Sequence, residues 1–404
     1  MAVQKILFPY LLSDIIRQNA ETADTVVFFG TDFYNLPYGS DHTVFIERTN
    51  QMLEYIRKHF PNSRLLYQAH PNETDEYTHL DLKDFSLGER VIAEAFLYQN
   101  ASEISFVLSA CSGASASAYA MGFNAAVCID LLHGALPEEA IIGYRSYFAG
   151  IPEGFFIRSF QEPVPVREPV SKQQEAYSIA RIKEAVGTTG KLWVLTSSPG
   201  LAVQAALVLK YAREHNPALK AGMLKIGGRR WEVAPIMSKL EEGFEEVIHV
   251  RDRRILYSAR PQRLLEAART ASRIKKLPIR EGDVVVSFCN TLFEENCIIA
   301  YHKRKARIIG LIENRWYHFT FSDRGESLSA SEFRASWGAL AFSWVLEPLL
   351  GLYRTVTKEY KDGRVINFFR YRSSLESVYD TVFVLVPDAR FSDAKITDEA
   401  YTRR

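Results

Sequence analysis

Apolar positions along the chain follow two alternating patterns. Short continuous runs are separated by stretches whose apolar residues return every three or four positions. The run TVVFFG (25–30) predicts a buried strand ending on Gly30. In 41–60, Val44, Phe45, Met52, Leu53, Ile56 and Phe60 share one helical face, and Pro61-Asn62 stops the helix. SRLLYQA (63–69) predicts the next strand and LGERVIAEAFLYQN (87–100) a helix. EISFVLSA (103–110) predicts a strand, CSGASASAYAMG the start of a helix rich in small residues, and AAVCID (125–130) another strand. Strand and helix in strict alternation imply a parallel sheet covered on both faces.

The pattern pauses at FQEPVPVREPVSK (160–172), where three prolines and little periodicity predict an extended linker or crossover. It then restarts. KLWVLTSSPG (191–200) reads as strand and turn, 201–215 as a helix, and KAGMLKIGG (220–228) as a strand ending in Gly-Gly. GDVVVSFCN (282–290), ARIIGLIEN (306–314) and DTVFVLVPD (380–388) are further strands. The predicted organisation is a Rossmann-like domain over 1–160, a linker over 161–172, a second Rossmann-like domain over 173–390 and a tail over 391–404. Ligands of such sheets bind beyond the carboxyl ends of the strands, an edge that takes in His70, Ser109, Ser198 and Asn314.

Length and composition fit this picture. A chain of 404 residues suits two α/β domains. The net charge of +1 gives no general attraction to nucleic acid, so no nucleic-acid partner is expected. The apolar segment 335–353 is broken by Glu347 and Pro348 and reads as a buried helix rather than a membrane span. Near the N-terminus, Pro9, Asp14 and Arg17 interrupt the apolar run, which reads as a first strand entering a helix and not as a signal peptide. Cys111, Cys128, Cys289 and Cys297 have no metal-ligand spacing, and two lie in strand-like runs. Reduced core thiols and a cytoplasmic location are the expectation.

The chemistry concentrates in the first half. YQAHPNE ends a strand on His70-Pro71, the next helix carries Glu94, and VLSACSGAS passes from a strand through a serine-rich loop into a helix. Small residues at a helix start let backbone N–H groups approach an anion, and hydroxyls add donors. Ser109, Ser112, Gly113 and Ser115 are the candidate phosphate ligands. Glu94 has the chemistry to accept both hydroxyls of a ribose. A histidine fixed against a proline can donate to a departing phosphoryl oxygen. Taken singly, each has a plainer reading: a strand terminator, a closely packed helix start, a solvated glutamate. In the second half, Glu232 and Glu313 are candidate catalytic acids. Arg229 and Arg230 could hold a substrate carboxylate by paired hydrogen bonds. GGRRWE also reads as a solvated basic loop, and Glu313 as an ordinary strand-end carboxylate. No metal-ligand cluster is evident.

The run from YQAHPNE through Glu94 to VLSACSGAS resembles the CMP-binding half of bacterial sialyltransferases and polysialyltransferases of the GT-B fold. It resembles CMP-Kdo transferases as well. The resemblance implies that His70 and Pro71 form the His-Pro motif and that Glu94 binds the ribose. It makes Ser109, Ser112 and Ser115 the phosphate serines, without a strict Ser-Ser pair. Gln68 stands where the family often has lysine. LWVLTSSPGLAVQAAL resembles the family's opening strand–Ser-Pro–helix. In IIGLIEN, Glu313 matches the second residue of an acidic motif, Asn314 replaces its glycine, and Ile312 replaces the first acid. The His-Pro half comes first here and second in the family, so the fold implied is two Rossmann-like domains, GT-B-like in rearranged order.

The activity implied is transfer of an acidic 2-keto sugar, of the Kdo or sialic acid type, from its CMP donor to a bacterial surface glycan or glycolipid. It needs no cofactor and no metal. The basic clusters RDRR (251–254) and HKRKAR (302–307) either form solvated faces or orient the enzyme at the inner membrane face. Two other readings stay open. One is a UDP-sugar epimerase or CDP-polyol phosphotransferase of the same superfamily. The other is a non-catalytic nucleotide- or glycan-binding module.

Overall fold

A computed structural model describes residues 3–7, 16, 18–19, 21–33, 36–70, 73, 79–88, 91–146, 148, 151–167, 172–187, 190–197, 199–226, 240–251, 261–288, 293–313, 356–361, 364–369 and 379–386. The chain is mixed α/β with two parallel sheets, the class expected from the apolar pattern.

The elements of the first half are β1 (Val3–Leu7), β2 (Thr25–Phe29), α1 (His42–His59), β3 (Arg64–Gln68), β4 (Phe85–Leu87), α2 (Ala93–Gln99), β5 (Ile104–Ser109), α3 (Gly113–Met121), β6 (Ala125–Val127) and α4 (Glu138–Ser146). Then follow α5 (Lys172–Val186), β7 (Leu192–Thr196), α6 (Pro199–His215), β8 (Ala221–Ile226) and β9 (Glu246–Arg251). The last group is α7 (Pro261–Lys275), β10 (Val284–Ser287), α8 (Phe293–His302), β11 (Arg307–Glu313), a hairpin of β12 (Val356–Lys361) with β13 (Arg364–Phe369), and β14 (Thr381–Val386).

The smaller sheet runs β4-β3-β2-β5-β6 and the larger β1-β14-β11-β10-β7-β8-β9. In both, the chain builds outward from a central strand, then crosses over and builds in the other direction. The reversal falls between β2 and β5 in the smaller sheet and between β7 and β10 in the larger. Crevices open at such reversals, beyond the carboxyl ends of the strands.

The central strands β7, β8 and β10 of the larger sheet are buried on both faces, and successive residues alternate between two cores. Leu192, Val194, Val284 and Val286 pack on the α5/α6 side, continuous with the core of the smaller unit. Trp193, Leu195 and Val285 pack on the α7/α8 side. Period-two alternation between two apolar layers is the reason these strands read as unbroken hydrophobic runs.

Three differences from the sequence reading have clear causes. First, β1 was expected within the 1–160 domain. It pairs instead with β14, Val3 opposite Val382, in the larger sheet. Second, the helix expected over 87–100 begins only at Ala93, because Leu87 ends β4 in the smaller sheet and Ile92, the N-cap, is still extended. The Gly88 N–H extends that pairing by donating to Tyr67 O (2.9 Å). Third, the proline-rich segment starts tethered to the first unit. The Arg167 N–H donates to Asn124 Oδ1 (3.0 Å), and its guanidinium stacks 4.7 Å from the Tyr119 ring. The expected helix over 335–353 and the tail lie outside the described residues. No helix among the described residues is long and apolar enough to cross a membrane.

Candidate functional site

The carboxyl edge of the smaller sheet gathers three loops. Phe29 is in register with both Gln68 and Ser109, so the residues that follow these strands emerge side by side. They are Gly30-Thr31-Asp32 after β2, Ala69-His70 after β3 and Ala110–Ser112 after β5. The β2 and β5 loops flank the topological reversal.

His70 is held from below. Glu73, wholly buried, lies three residues on and reaches back. Its Oε2 accepts the His70 backbone N–H at 2.9 Å, and its Oε1 accepts the Tyr67 hydroxyl at 2.6 Å. The Glu73 N–H returns a bond to His70 O at 2.8 Å. This is the reciprocal i, i+3 closure that glutamate supplies at helix starts, used here to lock a strand-end loop. Gly30 sits against the lock: a Cβ there would lie 2.5 Å from Glu73 Oε2 and from the Tyr67 hydroxyl oxygen. The His70 side chain is 34% exposed, and its Nδ1 lies 3.9 Å from Oδ2 of Asp32, which is 13% exposed. Burial lowers the His70 pKa below its usual value, and the Asp32 charge opposes that shift.

The serine loop divides its labour. Ser109 and Ser115 have no exposed surface, and their hydroxyls bond each other at 2.7 Å. Ser109 Oγ also donates to Ser112 O and accepts the Ser112 N–H, both at 3.2 Å. These two hydroxyls therefore shape the turn from beneath it. Ser112 is the N-cap of α3, with extended backbone, and its Oγ accepts the Ala114 N–H at 3.2 Å. The Gly113 N–H has no partner among the described residues. Ser112 and Gly113 are the members of the group that front the reversal. Across it, the Thr31 side chain bonds the Cys111 thiol, whose pKa burial pushes up to about 12.

Glu94 stands in the first turn of α2, and its Oε1 accepts the Ser117 hydroxyl at 2.9 Å. Gly200, in the first turn of α6, closes over it: a Cβ there would lie 3.4 Å from the Glu94 Cδ and Oε2. The carboxylate thus lies where the two units meet. Ser117 is four residues past Gly113, about 6 Å along the α3 axis at ~1.5 Å per residue. At the other ends of α2 and α6, Tyr98, Gln99, Leu209, Lys210 and Arg213 line a separate groove of about 510 Å³.

Gln68 is not at the crevice surface. It is 1% exposed, its amide donates to Val91 O at 3.4 Å, and its Oε1 lies against Gly88. It steadies the segment leading into α2. Pro71, Arg229, Arg230, Glu232, Ser198 and Asn314 lie outside the described residues. Glu313 is the last residue of β11, and its side chain also lies outside them.

The sequence reading missed Asp32, Glu73, Ser117 and Gly200. Glu73 had a signal, its three-residue spacing from His70. Asp32 had a weaker one, an acid directly after a buried strand. Ser117 and Gly200 had none, since their meeting with Glu94 is purely tertiary. Also missed was a buried polar group at the carboxyl end of β10. There the Ser287 hydroxyl bonds Glu295 and lies 3.1 Å from the Tyr379 hydroxyl, and Glu294 and Glu295 are both buried.

No protein-family model matches the chain, and no curated protein matches it. Two solved structures align over most of its length. One is the glycosyl transferase family 9 protein from Veillonella parvula DSM 2008, 12% identical, covering 71% of this chain and 80% of that one, with a TM-score of 0.17. The other is the alpha/beta-galactoside alpha-2,3-sialyltransferase from the luminous marine bacterium Photobacterium phosphoreum. It is also 12% identical, with 78% and 94% covered and a TM-score of 0.17. A likeness at that score carries no argument about function.

Proposed function

We propose that the chain is a glycosyltransferase that moves an acidic 2-keto sugar, of the Kdo or sialic acid type, from its CMP donor to a bacterial surface glycan or glycolipid. The smaller unit binds the nucleotide. The larger unit supplies the acceptor site and the catalytic acids. The work is done at the cytoplasmic side of the membrane.

One observation carries the reading. The capped start of α3, with the Gly113 N–H, sits at the sheet reversal, one strand across β2 from the loop of His70. Glu94 is fixed on Ser117, about one turn further along the same helix. A phosphate on the helix start and a ribose diol on the carboxylate match the layout of a nucleoside monophosphate.

The chemistry follows from the leaving group. The bond between the anomeric carbon and the phosphate oxygen breaks, giving an oxocarbenium-like transition state. Negative charge collects on the CMP phosphate, where His70, Ser112 and the Gly113 N–H donate to it. The acceptor oxygen bonds to the anomeric carbon, and its proton passes to a carboxylate, Glu232 or Glu313. Arg229 and Arg230 hold the sugar carboxylate.

Thermal unfolding with CMP, CDP, UDP and buffer tests this. A ligand at about a hundred times its dissociation constant adds about 2.7 kcal/mol. The expected result is a CMP-induced rise in midpoint that shrinks in His70→Ala and Ser112→Ala. No rise with any nucleotide, or a rise with UDP alone, would overturn the reading.

A further inference from the structure

We infer that Asp32 is a positioning residue for His70: it orients the imidazole through Nδ1 and holds it as the imidazolium when a phosphate occupies Nε2, so that ligand binding takes up a proton. This rests on the proposed nucleotide site and names a residue that neither the sequence motifs nor the family resemblance singled out.

The geometry supplies the argument. Asp32 and His70 come from adjacent strand ends, and Asp32 Oδ2 is 3.9 Å from Nδ1. That separation is within ion-pair range but too long for a hydrogen bond. Apo catalytic contacts are often long and tighten only in the complex. The two side chains differ in freedom. The His70 backbone is pinned by Glu73, and the side chain is one-third exposed, while Asp32 is nearly covered. The ring therefore has solvent on one side and a shielded carboxylate on the other.

Among the described residues, Glu73 and Cys111 are the neighbouring ionisable groups, and both have other partners. Glu73 spends its oxygens on the Tyr67 hydroxyl and the His70 backbone N–H. The Cys111 thiol, bonded by Thr31, stays uncharged at neutral pH. In the free protein, burial disfavours the imidazolium and Asp32 favours it, with burial the larger influence. A bound phosphate brings a second negative charge to the far nitrogen. The ring then lies between two anions, and a proton from solvent adds to it. No bond to carbon forms or breaks in this step, and nothing is oxidised.

Isothermal titration with CMP near pH 7.5, in buffers of different ionisation enthalpy, counts the protons taken up. Wild-type protein is expected to take up close to one. Asp32→Asn should take up far fewer and bind about ten-fold more weakly, the weight of one charge-assisted contact. Asp32→Glu should recover most of the uptake, and His70→Ala should show none. Equal uptake in wild type and Asp32→Asn overturns the inference, as does wild-type binding with no uptake, a result that needs no variant to fold. If CMP binds to none of the proteins, the nucleotide reading fails on its own. The pair is then judged by NMR titration of the His70 ring. A pKa lower in Asp32→Asn than in wild type sustains it, and an unchanged value overturns it.

Discussion

Glu73 should be the residue on which the His70 loop depends, and the structure sets the size of the effect. The carboxylate is wholly buried and accepts two hydrogen bonds, at 2.6 Å from the Tyr67 hydroxyl and 2.9 Å from the His70 N–H. Bonds to a charged acceptor contribute about 1.5–3 kcal/mol each. In Glu73→Gln the shape is kept and one oxygen becomes an NH₂. The Tyr67 hydroxyl can reverse and accept from that NH₂, but the His70 N–H cannot reverse and must keep the remaining oxygen. Both bonds survive as neutral ones, at a cost of about 1–2 kcal/mol. In Glu73→Ala both donors are stranded, at about 3–5 kcal/mol. The lock is a local feature, so local opening is its most direct readout. Hydrogen exchange at the His70 amide should accelerate by roughly 5–30-fold in Glu73→Gln, since about 1–2 kcal/mol corresponds to that factor. It should accelerate further in Glu73→Ala. Exchange at His70 within two-fold of wild type in both variants, with the rest of the sheet intact, would refute the lock.

Three other outcomes are expected. Gly30→Ala puts a methyl group 2.5 Å from two buried oxygens, Glu73 Oε2, which accepts the His70 N–H, and the Tyr67 hydroxyl, which donates to Glu73 Oε1. It should lower stability by about 1–3 kcal/mol and weaken CMP binding, and an unchanged unfolding midpoint would count against it. Asp283 is 5% exposed and accepts the Lys191 N–H (2.8 Å), the Trp193 indole N–H (2.9 Å) and the Arg280 N–H (2.9 Å). Asp283→Ala should cost about 3–5 kcal/mol while the CMP-induced rise in midpoint persists, because this knot lies at the amino edge of the larger sheet; losing that rise would contradict the assignment. The pKa values of His70 and His302 are lowered in the folded protein, in both cases mainly by burial. The unfolded chain then binds more protons, so their contribution is complete above about pH 6.5 and falls as the pH drops below it. Denaturation midpoints from pH 5 to 8 test the sign in wild type against His70→Ala, whose decline toward acid should be shallower; an equal decline would count against it.

How much of this was readable in the sequence depended on the range of the interaction. Buried central strands declared themselves because both faces pack on apolar layers, as Trp193 and Val194 do on opposite sides of β7. β9 did not, since Glu246 and His249 break the apolar run at the sheet edge. The three residues of β4 were too few for a period, and the last of them, Leu87, was read as the start of the neighbouring helix. In the site, His70, Ser112 and Glu94 stood out by residue type and position after strands. The residues that hold them act across longer distances: Tyr67 and Gly30 on Glu73, Ser117 and Gly200 on Glu94. The connection of the two units is a long-range feature of the same kind. β1 and β14 are neighbours in the larger sheet, so the chain leaves that sheet after Leu7, builds the five-stranded unit, and returns to complete it from α5 onward. The smaller unit is an insertion into the larger, anchored by entry and exit alike. A residue such as Glu94, wedged under Gly200, then reports on both units at once. No periodicity in the sequence encodes that contact, because it exists only when the inserted unit has folded against the helix that follows it.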